Sequence, residues 1–270
     1  MNIDSIQILR LLLYFIIYSF FGWVLESIFK SILQRKIVNS GFLYGPICPI
    51  YGFGAIIMLL FLNKFKYNLV LLFLAGFIVL SVWEYIVGAL LEKKFNTKYW
   101  DYSNNVLNIK GRVCLMNSIF WGLLGVIFTL YIHPSVERCV LHISNKTLIY
   151  TDIILVIIII IDCIVTTIKV QSIDIKLQKI RELGELIKEK LKELKETKSD
   201  AKDKIRDIEN IIEDLKYRQA ILRLKIYRQA RRLKKAFPTM KSEKITQFLN
   251  QKVDFKALRE KIRNKVNKRR

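Results

Sequence analysis

The sequence of 270 residues has few of the residues and motifs on which common catalytic and metal sites depend. It contains two histidines and four cysteines, with no CxxC pair, no HExxH motif and no recognisable nucleophile–base pair. The GxxxxGK[ST] motif of P-loop ATPases is also absent, so this chain cannot supply that kind of ATP hydrolysis. We therefore expect no metal, no cofactor and no catalytic residue, and enzymatic activity is not the predicted function.

The few cysteines and histidines do not form a structural site either. Cys48 and Cys114 are expected to face a reducing cytoplasm, which disfavours a disulfide. His133 and His142 fall in or near a predicted outer loop with Glu137, but their spacing is not that of a metal site. We expect both to be loop histidines at the surface.

Charged residues are scarce in the first 170 positions, where long uncharged segments dominate. Five segments approach the roughly twenty residues that an α-helix needs to cross a bilayer. The first is not a cleaved signal peptide, because its apolar run continues without a small-residue cleavage site. The predicted fold class is an all-α integral membrane protein whose five spans cover residues 10–31, 46–63, 68–91, 113–133 and 148–169.

The remainder of the chain is strongly basic, with 31 Lys and Arg against 15 Asp and Glu after residue 170. Such an excess is typical of cytoplasmic segments of membrane proteins, so nucleic acid is not the expected partner. Five spans then place the N-terminus outside a cell membrane and the tail in the cytoplasm. The predicted domains are a transmembrane domain at 1–170, a heptad-patterned helical segment at 171–237 and a basic tail at 238–270.

A shift of 66 residues aligns the first two spans with the next two. Glycine, glutamate, asparagine and cysteine positions match, rather than the leucines and isoleucines that all membrane helices share. This pattern predicts two parallel-repeated hairpins, with the fifth span outside the repeat, a layout that some transporters use. The matched pairs are Gly22 and Gly88, Leu25 and Leu91, Glu26 and Glu92, Phe29 and Phe95, Asn39 and Asn105, Gly45 and Gly111, and Cys48 and Cys114.

The loops inside these hairpins carry several distinctive strings. They are FGWVLE and GFLYGPICPIYGFG in the first hairpin, then WEY, LEKKF, WDYS and NIKGRVCL followed by WG in the second. Over about residues 14–134 the chain resembles the putative ABC-transporter type IV membrane family. The family pattern has Arg after the first asparagine, where this chain has Ser40. The resemblance implies a permease-like membrane component, served by a separate ATPase or other protein subunit.

Ionisable residues within spans are costly and normally face a protein interior or an aqueous cavity. Under the predicted topology several lie near the cytoplasmic ends of their helices, beside polar residues of the two loops. Together they could bind a cationic or zwitterionic solute, relay protons or lock the helices together. The candidate residues are Glu26, Glu84, Glu92, Asp101, Arg112, Asp162, Asn39 and Asn108.

After Ile173, Leu and Ile recur at heptad spacing to position 233, which predicts a coiled-coil-like helix. This seam is interrupted at Gly184, Lys198, Ala201, Gln219 and Gln229, and Ser199 or Asp200 could cap a new helix. The tail is thus one rod, which could self-associate, or an antiparallel hairpin that turns near residue 199. The acid-free basic stretch 217–237 could contact anionic membrane lipids, or it could be a solvated face.

These patterns rank a transporter-like or permease-like component without its own ATPase first. The alternative is a membrane scaffold or adaptor that recruits partners through its coiled-coil tail. An intramembrane enzyme is a more distant third reading.

Overall fold

The computed structural model describes residues 5–197, 202–251, 253–255, 258–260 and 262–263. These residues form helices and loops, without a β-strand among them. The chain divides into two compact units. Unit 1 runs to Thr166 and includes Leu233–Glu243, and unit 2 comprises Thr167–Arg232 and the described residues from Lys244 onward.

Unit 1 is built from apolar helices. The helices begin with α1 at Ser5–Gln34, α2 at Pro49–Phe61, α3 at Leu69–Phe95 and α4 at Leu115–Ile127. A π-helical turn, Phe128–Ile132, joins α4 to α5 at His133–Leu141, so that Leu115–Leu141 is one continuous helix. The last helix, α6, begins at Asn145 and ends at Glu196, in unit 2.

Four of the described helices are long and apolar enough to cross a membrane: α1, α3, Leu115–Leu141 and α6. Residues 46–63, expected to form the second span, contain α2, whose 13 residues extend only about 20 Å at 1.5 Å per residue. That length is short of a hydrocarbon core of about 30 Å. Several apolar helices can therefore span a membrane, and α2 is shorter than the sequence predicts.

Small residues allow α3 and α4 to pack closely. A Cβ added to Gly76 on α3 would lie 3.4 Å from the Cα atoms of Gly122 and Gly125 on α4. Close approach between small residues is a common way for membrane helices to associate through dispersion contacts. The adjoining core contains fully buried Leu62 and Leu72, so this end of unit 1 is fixed by apolar packing.

The two inter-helix loops end alike. Cys48 and Cys114, 66 residues apart, each directly precede a helix, at α2 and α4 respectively. Both cysteines are buried and neither forms a disulfide. Pro49 begins α2, where a residue without an amide hydrogen is well tolerated. These loops bring the polar residues of unit 1 to the ends of its helices.

Unit 2 contains the C-terminal part of α6 and the helix α7, Lys202–Ala236. The two helices run antiparallel, because Gln219 Nε2 donates to the Ile180 carbonyl at 3.0 Å and Gln229 Nε2 donates to the Lys169 carbonyl at 3.1 Å. The glutamines that interrupt the apolar seam therefore hydrogen-bond the two helices to each other. The candidate caps Ser199 and Asp200 lie outside the described residues.

The end of unit 2 is a short helix and an aromatic contact. Helix α8 at Glu243–Leu249 begins in unit 1 and buries Ile245 and Phe248. Tyr227 of α7 stacks on Phe255, with ring centroids 4.0 Å apart. Pro238 follows α7 by two residues, consistent with its inability to donate the next helical hydrogen bond.

Candidate functional site

Glu84 on α3 is the one carboxylate of the predicted set that is buried as a whole residue, with an exposure of 5%. Its Oε2 accepts from Trp121 Nε1 at 2.9 Å, and its Oε1 lies 3.4 Å from both the Tyr102 hydroxyl and Asn117 Nδ2. A buried carboxylate needs such donors because losing water is costly. The donors come from α4 and from the loop that precedes it, so Glu84 is fixed by the second hairpin.

Glu26 on α1 is held differently. Its Oε1 lies 2.5 Å from Lys30 Nζ, one helical turn further on, and its Oε2 lies 3.6 Å from Cys48 Sγ. Lys30 also donates to Ser40 Oγ at 3.0 Å and to the Ala236 carbonyl. Burial and the nearby Glu26 charge raise the pKa of the Cys48 thiol, so that the sulfur stays protonated.

Tyr51 on α2 lies near both carboxylates. Its amide donates to the carbonyl of Cys48, whose Sγ lies 3.6 Å from Glu26, and its ring centroid lies 6.0 Å from that of Trp121, which donates to Glu84. Burial and the Glu84 charge raise the pKa of Tyr102, which keeps its hydroxyl neutral and able to donate. We name Glu26, Glu84, Tyr51 and Tyr102 the carboxylate–tyrosine cluster. It joins α1 and α2 of the first hairpin to α3 and the loop of the second.

Asp162 of α6 holds the first loop rather than this cluster. Its Oδ2 accepts from the Gly45 amide at 2.7 Å, and its Oδ1 accepts from the Tyr44 amide at 3.1 Å and Thr166 Oγ1 at 3.0 Å. A Cβ at position 45 would approach Asp162 Oδ2 to 3.0 Å, so glycine permits the close contact. Asp162 therefore fixes the first loop to α6 through the loop amides.

Glu92 and Arg112 form a separate ion pair. Arg112 donates from Nε and Nη2 to Glu92 Oε2 at 3.1 and 3.0 Å, and from Nη1 to the Tyr85 hydroxyl at 3.0 Å. Burial lowers the pKa of the guanidinium, but the Glu92 contacts outweigh it and raise the pKa. Glu92 thus has its own cation, while Glu26 is paired with Lys30.

Asp101 lies in the second loop, with only 4% of its side chain exposed. Ser103 Oγ donates to its Oδ1 at 2.6 Å, and Lys241 forms an ion pair with its Oδ2. Burial acts to raise the pKa of Asp101, but the hydrogen bonds from Lys241 and Ser103 outweigh it and lower the pKa. Asp101 is therefore a structural anion.

The predicted asparagines shape the two loops. Asn39 accepts from Trp23 Nε1 at 2.7 Å, which joins the first loop to α1. Asn108 donates to the Ser103 and Asn105 carbonyls and accepts from the Gly111 amide at 3.1 Å. Both residues lie on the loops as expected, and their described contacts are with neighbouring chain rather than with an open site.

The segment Leu233–Glu243, which we name the returning segment, belongs to unit 1 with both loops. Lys98 and Lys241 exchange two backbone hydrogen bonds of 3.0 and 2.9 Å. The Phe237 ring lies 5.0 Å from the Tyr99 ring, and Lys30 Nζ lies 4.7 Å above the Phe237 centroid. The returning segment thus contacts Lys30, the cation that neutralises Glu26.

The structure brings Glu26 and Glu84 into one cluster, whereas Glu92 with Arg112, Asp101 and Asp162 occupy separate contacts. Tyr51, Tyr102, Asn117, Trp121 and Lys30 were not among the candidates. The 66-residue shift aligns Tyr51 with Asn117, which are different residues, so the repeat gave no signal for either.

The expectation of a loop histidine at position 133 was wrong. His133 lies inside the continuous helix, its side chain is 16% exposed, and its Nδ1 lies 2.9 Å from the Tyr18 hydroxyl. Pro134 lacks an amide hydrogen, and the preceding π-helical turn accommodates it without ending the helix. His142 follows α5 and is exposed, as expected.

The described parts of the chain contain no group of three or more His, Cys, Asp or Glu residues that could hold a metal ion. A family model with the description "Putative ABC-transporter type IV" matches residues 13–167. This range contains the whole carboxylate–tyrosine cluster and ends at Thr167, the first residue of unit 2. Comparison with the curated proteins and with the solved structures gave no match.

Proposed function

Because the chain belongs to the Putative ABC-transporter type IV family, we propose that it is a permease-like membrane component. Its solute is cationic or zwitterionic, and a separate subunit hydrolyses ATP. The observation that carries the proposal is the carboxylate–tyrosine cluster, in which Tyr51 and Tyr102 lie beside two acidic side chains from different hairpins.

The chemistry of the cluster favours a cation. Two carboxylates in a water-poor site repel each other, and a positive group between them relieves that repulsion. The Tyr51 and Tyr102 rings add electron-rich faces of the kind that bind ammonium groups. An anionic solute would be repelled by the two carboxylates. The residues therefore fit a cationic or zwitterionic amine.

Lys30 is the internal competitor in this proposal. Its ammonium occupies Glu26, but it also has Ser40, the Ala236 carbonyl and the Phe237 ring as partners. A cationic solute that takes over Glu26 therefore leaves Lys30 with other contacts. Solute binding is in this way coupled to the first loop and the returning segment.

The two hairpins are proposed to be parallel repeats about the cluster. Cys48 and Cys114 precede their helices at equivalent positions. Across the repeat, Gly52 of α2 corresponds to Ser118 of α4. Gly52 lies against Phe15 and Ser19 of α1, while Ser118 Oγ accepts at 2.7 Å from Ser81 Oγ of α3, the residue that the shift pairs with Phe15. Both hairpins thus use small residues at matching crossings.

The proposed orientation places the N-terminus outside and the basic tail in the cytoplasm of a multi-pass protein. The loops 35–48 and 96–114 then face the cytoplasm, with Arg35, Lys36, Lys98 and Lys110 among their cations. This distribution follows the enrichment of cytoplasmic loops in Lys and Arg. Labelling of Ser103→Cys tests this orientation, because Ser103 is exposed in the second loop. The cysteine should react with a reagent applied from the cytoplasmic side and not with one applied from outside.

A membrane scaffold is the second candidate. The observation that favours it is that unit 2 is compact by itself and lies almost entirely beyond the matched residues 13–167. Its antiparallel helices present a strongly basic surface to partners. In this reading α6 anchors a recruitment module in the membrane.

Purification of the tagged full chain from gently solubilised membranes separates the two candidates. A co-purifying ATPase, and ATP-dependent uptake of an amine solute by vesicles containing both subunits, support the permease. A partner protein that still co-purifies when the cluster residues are substituted, but is lost when the packing of α7 is disrupted, supports the scaffold. Retention of full uptake by Glu84→Gln would contradict the proposed solute site.

A further inference from the structure

A second buried carboxylate lies apart from the cluster. Asp152 on α6 is 1% exposed, and both of its carboxyl oxygens are enclosed without a hydrogen-bond partner among the described residues. By contrast, Asp162 on the same helix accepts three hydrogen bonds. Asp152 is therefore buried without the hydrogen-bond donors that normally stabilise a carboxylate.

The helical turn that precedes Asp152 packs into the apolar core of unit 1. One turn earlier on the same helix, Leu148 is 1% exposed and belongs to the core cluster with Leu62, Phe128 and Val140. The ionisable residues at this end of unit 1 form no ion pair with Asp152 within the described chain. They are Arg10, Tyr14 and Tyr18 on α1, Lys64, Lys66 and Tyr67 between α2 and α3, His133, Glu137, Arg138 and Cys139 on α5, His142 after it, and Lys146 and Tyr150 on α6.

We propose that Asp152 is a proton-binding site whose carboxyl group is neutral in this conformation. An unpaired charge in an apolar environment is so unfavourable that the group binds a proton instead. When the site opens, the carboxyl O–H bond breaks, the proton passes to water and the carboxylate remains. The site would thus bind one proton in the closed form and release it on exposure.

Helix α6 connects this site to the first loop. Asp162 follows Asp152 by ten residues, or about 15 Å along a helix, and binds the Tyr44 and Gly45 amides. A displacement of α6 that exposes Asp152 therefore also moves the group that holds the loop next to Cys48. The proton site stands independently of the proposed solute, but it gives α6 a means to couple proton release to that loop.

Infrared spectroscopy of the full chain in lipid bilayers at neutral pH tests the protonation state directly. A protonated carboxyl has a C=O stretch that a carboxylate lacks. Asp152→Asn should remove the intensity of one carboxyl from this acid band. The matched control is Asp174→Asn on the same helix, where the exposed side chain pairs with Lys244, and it should remove only carboxylate intensity.

If Asp152→Asn instead removes carboxylate intensity, the proposal is overturned. If that carboxylate band also changes with the Na⁺ or K⁺ concentration, the residue belongs to a metal-cation site. A second variant, Asp152→Leu, places an apolar side chain in the same surroundings. A neutral carboxyl predicts that at least one of these uncharged variants inserts and folds. If both variants fail to fold, the charge is required and the proton site is wrong.

Discussion

The Lys30 ammonium lies 2.5 Å from the Glu26 carboxylate, and the same ammonium bonds Ser40 of the first loop and Ala236 of the returning segment. Only 14% of the Lys30 side chain and 19% of the Glu26 side chain are exposed. One cation thus neutralises an acid of the carboxylate–tyrosine cluster and joins it to two other chain segments.

Lys30→Met should destabilise unit 1 by about 2–3 kcal/mol, because Glu26 would be left partly buried and without its cation. The double variant Glu26→Gln/Lys30→Met should recover part of the loss, since it leaves no unpaired charge. Thermal unfolding of the purified chain in detergent measures both. Strictly additive losses in the double variant would show that the two residues are not energetically coupled.

The stability that the Asp101–Lys241 ion pair gives to unit 1 should depend on pH. Because the pKa of Asp101 is lowered in the folded chain, its contribution to stability is present above the ordinary pKa of about 4 and is lost as pH falls through the lower folded value. Asp101→Asn should therefore speed amide exchange at Lys98 and Lys241 near neutral pH. The difference from the unmodified chain should shrink in strong acid, and a difference that grows there would contradict the assignment.

Gly111→Ala should destabilise the second loop. Gly111 has φ +69°, and an added Cβ would overlap the Asp101 carboxylate and approach Ser103. The backbone conformation alone costs of order 1–3 kcal/mol for other residues. Gly54→Ala is the control, because its Cβ would meet its nearest neighbour, Trp83, at an ordinary 3.7 Å. Equal melting temperatures for the two variants would contradict the loop geometry.

In unit 2, Ile208 and Ile212 of α7 are 3% and 5% exposed, whereas Ile211 between them is 44% exposed. Ile208→Ser and Ile212→Ser should each cost roughly 2–5 kcal/mol through lost burial and a remaining cavity. Ile211→Ser should have a much smaller effect. Hydrogen exchange along α7 in the full chain measures the difference, and equal exchange in all three variants would rule out this packing face.

Composition alone predicted the helical membrane class, because long uncharged runs fit few other structures. The length of α2 was overestimated at both ends, since residues 46–48 belong to the loop before Pro49 and the helix ends at Phe61, before the 3-10 turn Asn63–Phe65. Position 133 was assigned to an outer loop because the predicted span ended there, and the π-helical turn through which the helix continues past Pro134 was not predicted. Heptad spacing predicted the seam of α6 and α7, whereas the partners of Gln219 and Gln229 required the antiparallel arrangement.

The sequence also did not predict which cation pairs with which acidic side chain. Glu26 and Glu92 occupy equivalent positions in the 66-residue shift, yet one pairs with Lys30 on its own helix and the other with Arg112 from a loop. Spacing along a helix could have suggested the first pair. The second depends on a loop of irregular backbone conformation, which no periodic pattern describes.

The central claim is that Glu26 and Glu84 bind the positive group of a solute. Thermal unfolding of the purified full chain, measured against a panel of amine, zwitterionic and anionic solutes, tests it most directly. We expect amines or zwitterions to raise the melting temperature, Glu84→Gln to reduce that response at least tenfold in apparent affinity, and the exposed-site control Glu185→Gln to preserve it. Stabilisation by anions alone, or an undiminished amine response in Glu84→Gln, would contradict the account.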